Sequence, residues 1–75
     1  MKLCDIESGS LYRVSEINCE KRISERLCEL GLIPGSTVRE VMRAPLGEPK
    51  AYLIRGAVIA LRNECTSKIT VVPER

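Results

Sequence analysis

The stretch "NCEKRISERLCELGLIPGS", residues 18–36, holds a helix, its stop signal and a chain reversal in direct succession. Ile23, Leu27 and Leu30 fall at i, i+4 and i+7, which places one apolar stripe on a helix. Asn18 suits the N-cap, where its side chain accepts from an otherwise unpaired amide. Lys21 with Glu25, and Arg26 with Glu29, set opposite charges three or four residues apart on the wet face. Gly31 supplies the left-handed residue that ends the helix, and Leu32 folds back on Leu27 as in a Schellman ending. Pro34 and Gly35 then fill the centre of a type II turn, because proline presets the first torsion and glycine accepts a positive φ at the second. The chain reverses there and enters a strand.

Outward from this point, the remaining segments read as short strands. "LYRVSEI" (11–17), "STVREVMR" (36–43), "KAYLIR" (50–55), "AVIALR" (57–62) and "SKITVV" (67–72) are largely β-branched or apolar and are bounded by turn residues. Ala57, Ile59 and Leu61 share one face, as do Ile69 and Val71. Val38 and Val41 are out of phase, which predicts a bulge or a bend. Gly56 marks a tight connection or a kink, and residues 63–65 read as a single helical turn. Five short strands and one amphipathic helix predict a mainly β domain, a small closed or nearly closed barrel, since closure removes exposed sheet edges. Ile23, Leu27 and Leu30 are expected to plug one open end.

Composition sets the outer limits. Seventy-five residues make one domain, residues 1–75, and 44% hydrophobic content suffices for a packed interior. A net charge of +2, with basic and acidic residues intermixed, leaves no strong electrostatic footprint for nucleic acid. Arg39, Arg43, Lys50, Arg55 and Arg62 lie in or beside strands, but only Tyr52 could add a stacking surface among them. No apolar stretch approaches the roughly 20 residues that span a bilayer. Asp5 and Glu7 interrupt any signal-peptide core. The expectation is a cytoplasmic chain without direct membrane insertion or nucleic-acid binding.

Little catalytic chemistry is on offer. The chain has no histidine, which removes Cys-His and Ser-His nucleophile pairs. Its glycines form no phosphate-cradling loop. Glu20, Glu25 and Glu29 read as a solvated helix face. Cys4, Cys19, Cys28 and Cys65 lack any Cys-x-x-Cys pair, so they read as small, partly buried thiols rather than zinc ligands. No enzymatic activity, metal or cofactor is expected from these residues.

"VMRAPLGEP", residues 41–49, raises a separate question: a leucine stands at the tip of a proline-bounded turn. Pro45 and Pro49 stiffen the connection and Gly47 permits a positive φ. Leu46 either tucks back on the barrel or is presented as an anchor on a stiffened loop, which would lower the entropy lost on docking.

Taken together and in order, "RLCELGLIPGS", "RAPLGEP" and "IRGAVIALRNEC" resemble the FeoA family, ferrous iron transport protein A. The likeness runs from about Ser8 to Val72. Its helix-to-turn motif falls on Leu27, Leu30, Gly31, Leu32, Pro34 and Gly35. Its turn falls on Ala44, Pro45, Leu46, Gly47 and Pro49, and its last motif on Arg55, Gly56, Ala60, Leu61 and Arg62. Cys28, Cys65 and Glu40 depart from the family's more usual small or apolar residues.

The resemblance implies an SH3-like β-barrel with an inserted helix and a non-enzymatic accessory role in bacterial ferrous iron uptake. The implied partner is FeoB, a membrane permease with a GTP-binding domain, met on its cytoplasmic side. The residues expected to meet it are Arg43, Pro45, Leu46, Gly47, Pro49, Arg55 and Arg62. Two alternatives stand beside this one. The first is the SH3-like domain at the end of metal-dependent repressors, which would require a helix-turn-helix that these 75 residues do not contain. The second is a direct ferrous iron binder, for which only scattered carboxylates and thiols are available.

Overall fold

Helix α1 spans Lys21–Glu29 in the computed structural model, which describes residues 1–74. It stops where expected. Gly31 takes φ +94°, Leu32 N–H donates to Leu27 O at 2.9 Å, and Gly31 N–H donates to Cys28 O at 3.0 Å. These two bonds are the Schellman pair, and Leu27 and Leu32 both enter the core beside it. The type II turn follows, with Gly35 at φ +96° and Ser36 N–H donating to Ile33 O at 2.9 Å. Ser36 Oγ accepts from Ile33 N–H at 3.1 Å and donates to Gly31 O at 2.8 Å, so one hydroxyl joins helix end to turn.

The start of the helix differs from the expectation. Glu20 holds the N-cap position, without a side-chain capping bond. Asn18 is instead taken up by the sheet, its N–H donating to Lys68 O at 2.8 Å. The apolar stripe also does less than its spacing suggests. Leu27 is buried, but Ile23 and Leu30 remain 37% and 41% exposed. The core space is closed by the N-terminal segment, where a 3-10 turn, Leu3–Asp5, and the following Ile6 bury Leu3 and Ile6 among the core side chains. The charged residues on the wet face of α1 form no ion pair among the described residues.

Strands β1 (Leu11–Ile17), β2 (Thr37–Arg43), β3 (Lys50–Ile54), β4 (Ala57–Leu61) and β5 (Ile69–Pro73) form one sheet in the order β4-β3-β2-β1-β5. Every pairing is antiparallel. A one-turn helix, α2 (Asn63–Thr66), carries the chain from one edge strand to the other. The far side of β5 is partly covered by the N-terminus, through a Lys2–Thr70 bridge and Val71 N–H donating to Met1 O at 2.8 Å. Alternation points Tyr12 and Val14, Val38, Tyr52 and Ile54, and Ile69 and Val71 inward, where they are buried. The mainly β reading therefore holds, with five strands and one principal helix among the described residues.

Two irregularities shape the sheet. The β2–β3 register shifts between Glu40 and Met42, so Val41 is the extra residue that puts Val38 and Val41 out of phase. A second shift falls between Val14 and Glu16 in the β1–β5 ladder, where the sequence gives no hint of one. At the β3–β4 connection, Arg55 at φ +49° and Gly56 at φ +83° make a two-residue turn whose twist suits a hairpin.

Candidate docking surface

The β2–β3 loop, residues 44–49, closes on itself. Ala44 N–H donates to Pro49 O at 3.1 Å, and Gly47 N–H donates to Ala44 O at 2.8 Å. Pro45 thus occupies the second position of a β-turn and Leu46 the third, while Gly47 takes φ +89°. Glu48 Oε1 accepts the Asn63 backbone N–H at 2.6 Å, tying the base of the loop to the start of α2. Against this anchored base, Leu46 is 97% exposed. The question raised by its sequence position is answered: the side chain faces solvent on a braced loop.

More apolar surface lies beside it. The bulge at Val41 turns Met42 to the outer face of the sheet, where it stands in register with Ala51 and, one strand further, Ala60. The neighbouring row runs from Arg39 through Leu53 to Val58. Met42 is 67% exposed and Val58 63%. Neither stands out in sequence, because β4 is apolar in both phases and the bulge at Val41 breaks the alternation of β2 just before Met42. The out-of-phase Val38 and Val41 were the available signal.

The three arginines named with the loop separate into two groups. Arg43 and Arg62 lie at the loop's end of the sheet, since β2 ends at Arg43 and Leu61 pairs with Lys50. Arg55 sits at the opposite end of the β3–β4 hairpin, its aliphatic stem laid over Gly31. Arg43 is also committed within the chain. Its Nε donates to Glu40 Oε2 at 3.0 Å, and its Nη2 donates to Oε2 at 2.8 Å and to Oε1 at 3.1 Å. The Glu40 side chain is only 1% exposed. This forked pairing offsets the desolvation of a carboxylate that β2 aims into the barrel.

Other basic and aromatic groups are likewise internal. Lys50 is buried and its Nζ donates to Cys4 O at 2.7 Å. Tyr52 is fully buried, and burial pushes its phenol up to about 12. The one aromatic that sequence placed among the basic strand residues is thus unavailable for stacking on a base. Cys4, Cys19 and Cys65 are half-buried and Cys28 is exposed. Among the described residues no three His, Cys, Asp or Glu side chains are grouped to hold a metal ion. No helix among them is long and apolar enough to cross a membrane.

Comparison with known proteins agrees with this geometry. The FeoA domain model matches residues 1–73. The chain is 30% identical over 71 residues to the Fe(2+) transport protein A/Fe(2+) transporter FeoB fusion protein of Porphyromonas gingivalis, covering 95% of this chain but 8% of that protein. The solution structure of iron(II) transport protein A from Clostridium thermocellum superposes with a TM-score of 0.92 at 30% identity, over 97% of this chain and 45% of that one. The chain thus spans less than half the length of either relative. The zinc-complexed crystal structure of Stenotrophomonas maltophilia FeoA, described as an SH3 domain protein, matches with a TM-score of 0.83 at 28% identity, over 96% of this chain and 89% of that one. A likeness to IdeR of T. acidophilum, at 23% identity and a TM-score of 0.83 over 99% of this chain and 34% of that one, shows the shared fold alone. The SH3-like barrel that the sequence resemblance implied is the fold observed, and the chain belongs to the FeoA domain family.

Proposed function

We propose that this domain is a non-enzymatic docking module that acts on the cytoplasmic portion of a FeoB-type GTP-binding ferrous iron permease, biasing its conformation or assembly. The observation that carries the reading is Leu46, 97% exposed at the tip of a loop braced by two internal backbone bonds and by Glu48. An apolar side chain on a stiffened loop gains contact area on binding while losing little conformational freedom. Met42 on the adjoining sheet face extends the apolar surface, and Arg62 adds positive charge at its rim. Support for the choice of partner comes from the Porphyromonas gingivalis relative, in which a similar segment is part of a fusion with a FeoB transporter.

Titrating the isotope-labelled chain with the cytoplasmic domain of FeoB, first with GDP and then with a GTP analogue, tests the proposal by NMR. Shifts are expected at residues 44–49, Met42 and Arg62. Silence at these positions in both nucleotide states, with shifts elsewhere or none, rejects this surface as the docking site on that domain.

A further inference from the structure

Four cysteines are spread along the chain, yet folding brings two of them together across a separation of 46 residues. Cys19 lies in the connection between β1 and α1, and Cys65 lies in α2. Cys19 Sγ is 3.7 Å from the Cys65 carbonyl oxygen, a contact between side chain and backbone at the site of the second thiol. Both residues are half-buried and pack against the same hydrophobic core. Neither segment is loose. Ser24 Oγ donates to Cys19 O at 3.1 Å, and Cys65 N–H donates to Arg62 O at 3.0 Å. The other cysteines are placed differently: Cys4 Sγ points toward Asp5 Oδ1 at 3.7 Å, and Cys28 is exposed on α1.

We infer that Cys19 and Cys65 form an oxidisable dithiol, a site at which hydrogen peroxide converts two thiols into one intramolecular disulfide. The reaction takes two steps. The Cys19 thiolate attacks one peroxide oxygen, the O–O bond breaks, and the departing hydroxide leaves as water with the thiol's proton. Cys65 sulfur then displaces hydroxyl from the Cys19 sulfenic acid, forming the S–S bond and releasing a second water. Two thiols are oxidised by two electrons and one peroxide is reduced to two waters. Burial, and then the neighbouring Cys19, push the Cys65 thiol up to about 11. The product ties the β1–α1 connection to α2. Because the first backbone N–H of α2 is held by Glu48, the bond also restrains the base of the loop that presents Leu46.

The test uses the full chain, reduced, exposed to hydrogen peroxide, then alkylated and mapped without reduction. Intact mass is expected to fall by about 2 Da, reversibly with dithiothreitol. Tryptic peptides 14–21 and 63–68 are expected to emerge cross-linked, with Cys4 and Cys28 alkylated. The Cys28→Ser chain should behave identically, which separates the pair from intermolecular coupling. The Cys65→Ser chain should yield no cross-link. A disulfide through Cys4 or Cys28, or Cys19 advancing to sulfinic acid while Cys65 is still alkylated, overturns the inference.

Discussion

Replacing Arg43 by alanine strands the Glu40 carboxylate inside the barrel. Three donor–acceptor contacts of 2.8 to 3.1 Å are lost at a side chain only 1% exposed. Removing one partner of a fully buried ion pair costs about 3–5 kcal/mol. Here the Arg43 side chain is 50% exposed, so water screens one side of the pair and the lower range applies, about 2–3 kcal/mol. For a chain of this size that corresponds to a fall of roughly 10–20 °C in Tm. Adding Glu40→Leu to Arg43→Ala removes the orphaned charge and should restore most of the loss, giving a coupling of at least about 1 kcal/mol in the double-mutant cycle. Urea unfolding followed by circular dichroism reads all four corners of the cycle. A loss below about 0.5 kcal/mol for Arg43→Ala would refute the reasoning, because a carboxylate so little dependent on its partner is hydrated rather than buried.

Gly31→Ala should cost about 1–2 kcal/mol by the same assay, since φ +94° strains any L side chain and the new Cβ would stand 2.6 Å from Arg55 Cδ. Adding Arg55→Ala should recover only a minor part, because the torsional strain remains; full recovery would assign the cost to crowding instead. Alkaline stability should also fall in a defined window. Tyr52 is raised from 10.0 to about 12, so the folded chain keeps a proton that the unfolded chain releases. Its contribution is complete below pH 10 and is lost as pH climbs towards about 12. Urea midpoints measured across that range should decline less in Tyr52→Phe than in the parent; equal declines would mean that Tyr52 is not the group responsible.

The parts of this fold that were legible in sequence are those written in backbone chemistry. Gly31, Pro34 and Gly35 impose torsions that few other residues accept, and their turns fall where sequence places them. The phase break between Val38 and Val41 likewise records a real bulge. Burial was less legible, because it depends on which segments compete for the same space. Ile23 and Leu30 have the spacing of core residues, but Leu3 and Ile6 fill the interior from an N-terminal stretch without periodicity. Asn18 has the chemistry of a cap, yet its N–H is claimed by Lys68 across the sheet. Glu40 stands out as a charge in an apolar strand, although only the three-residue step to Arg43 along a bulged strand shows how it is accommodated. For the candidate site, the stiffness of residues 44–49 was readable from two prolines and a glycine. The outward direction of Leu46 required the closed geometry of the loop, and the apolar row beginning at Met42 required the register of β2 on β3.

Leu46→Ala, titrated calorimetrically into the cytoplasmic domain of FeoB beside the parent chain, tests the docking proposal most directly. Leu46 is 97% exposed, so its truncation should leave the unfolding free energy within about 0.5 kcal/mol of the parent. If it anchors the interface, the same change should weaken binding by about tenfold or more, the loss expected for an apolar side chain seated in a partner's pocket. Equal affinity of parent and variant, at equal stability, would contradict the docking role of this loop.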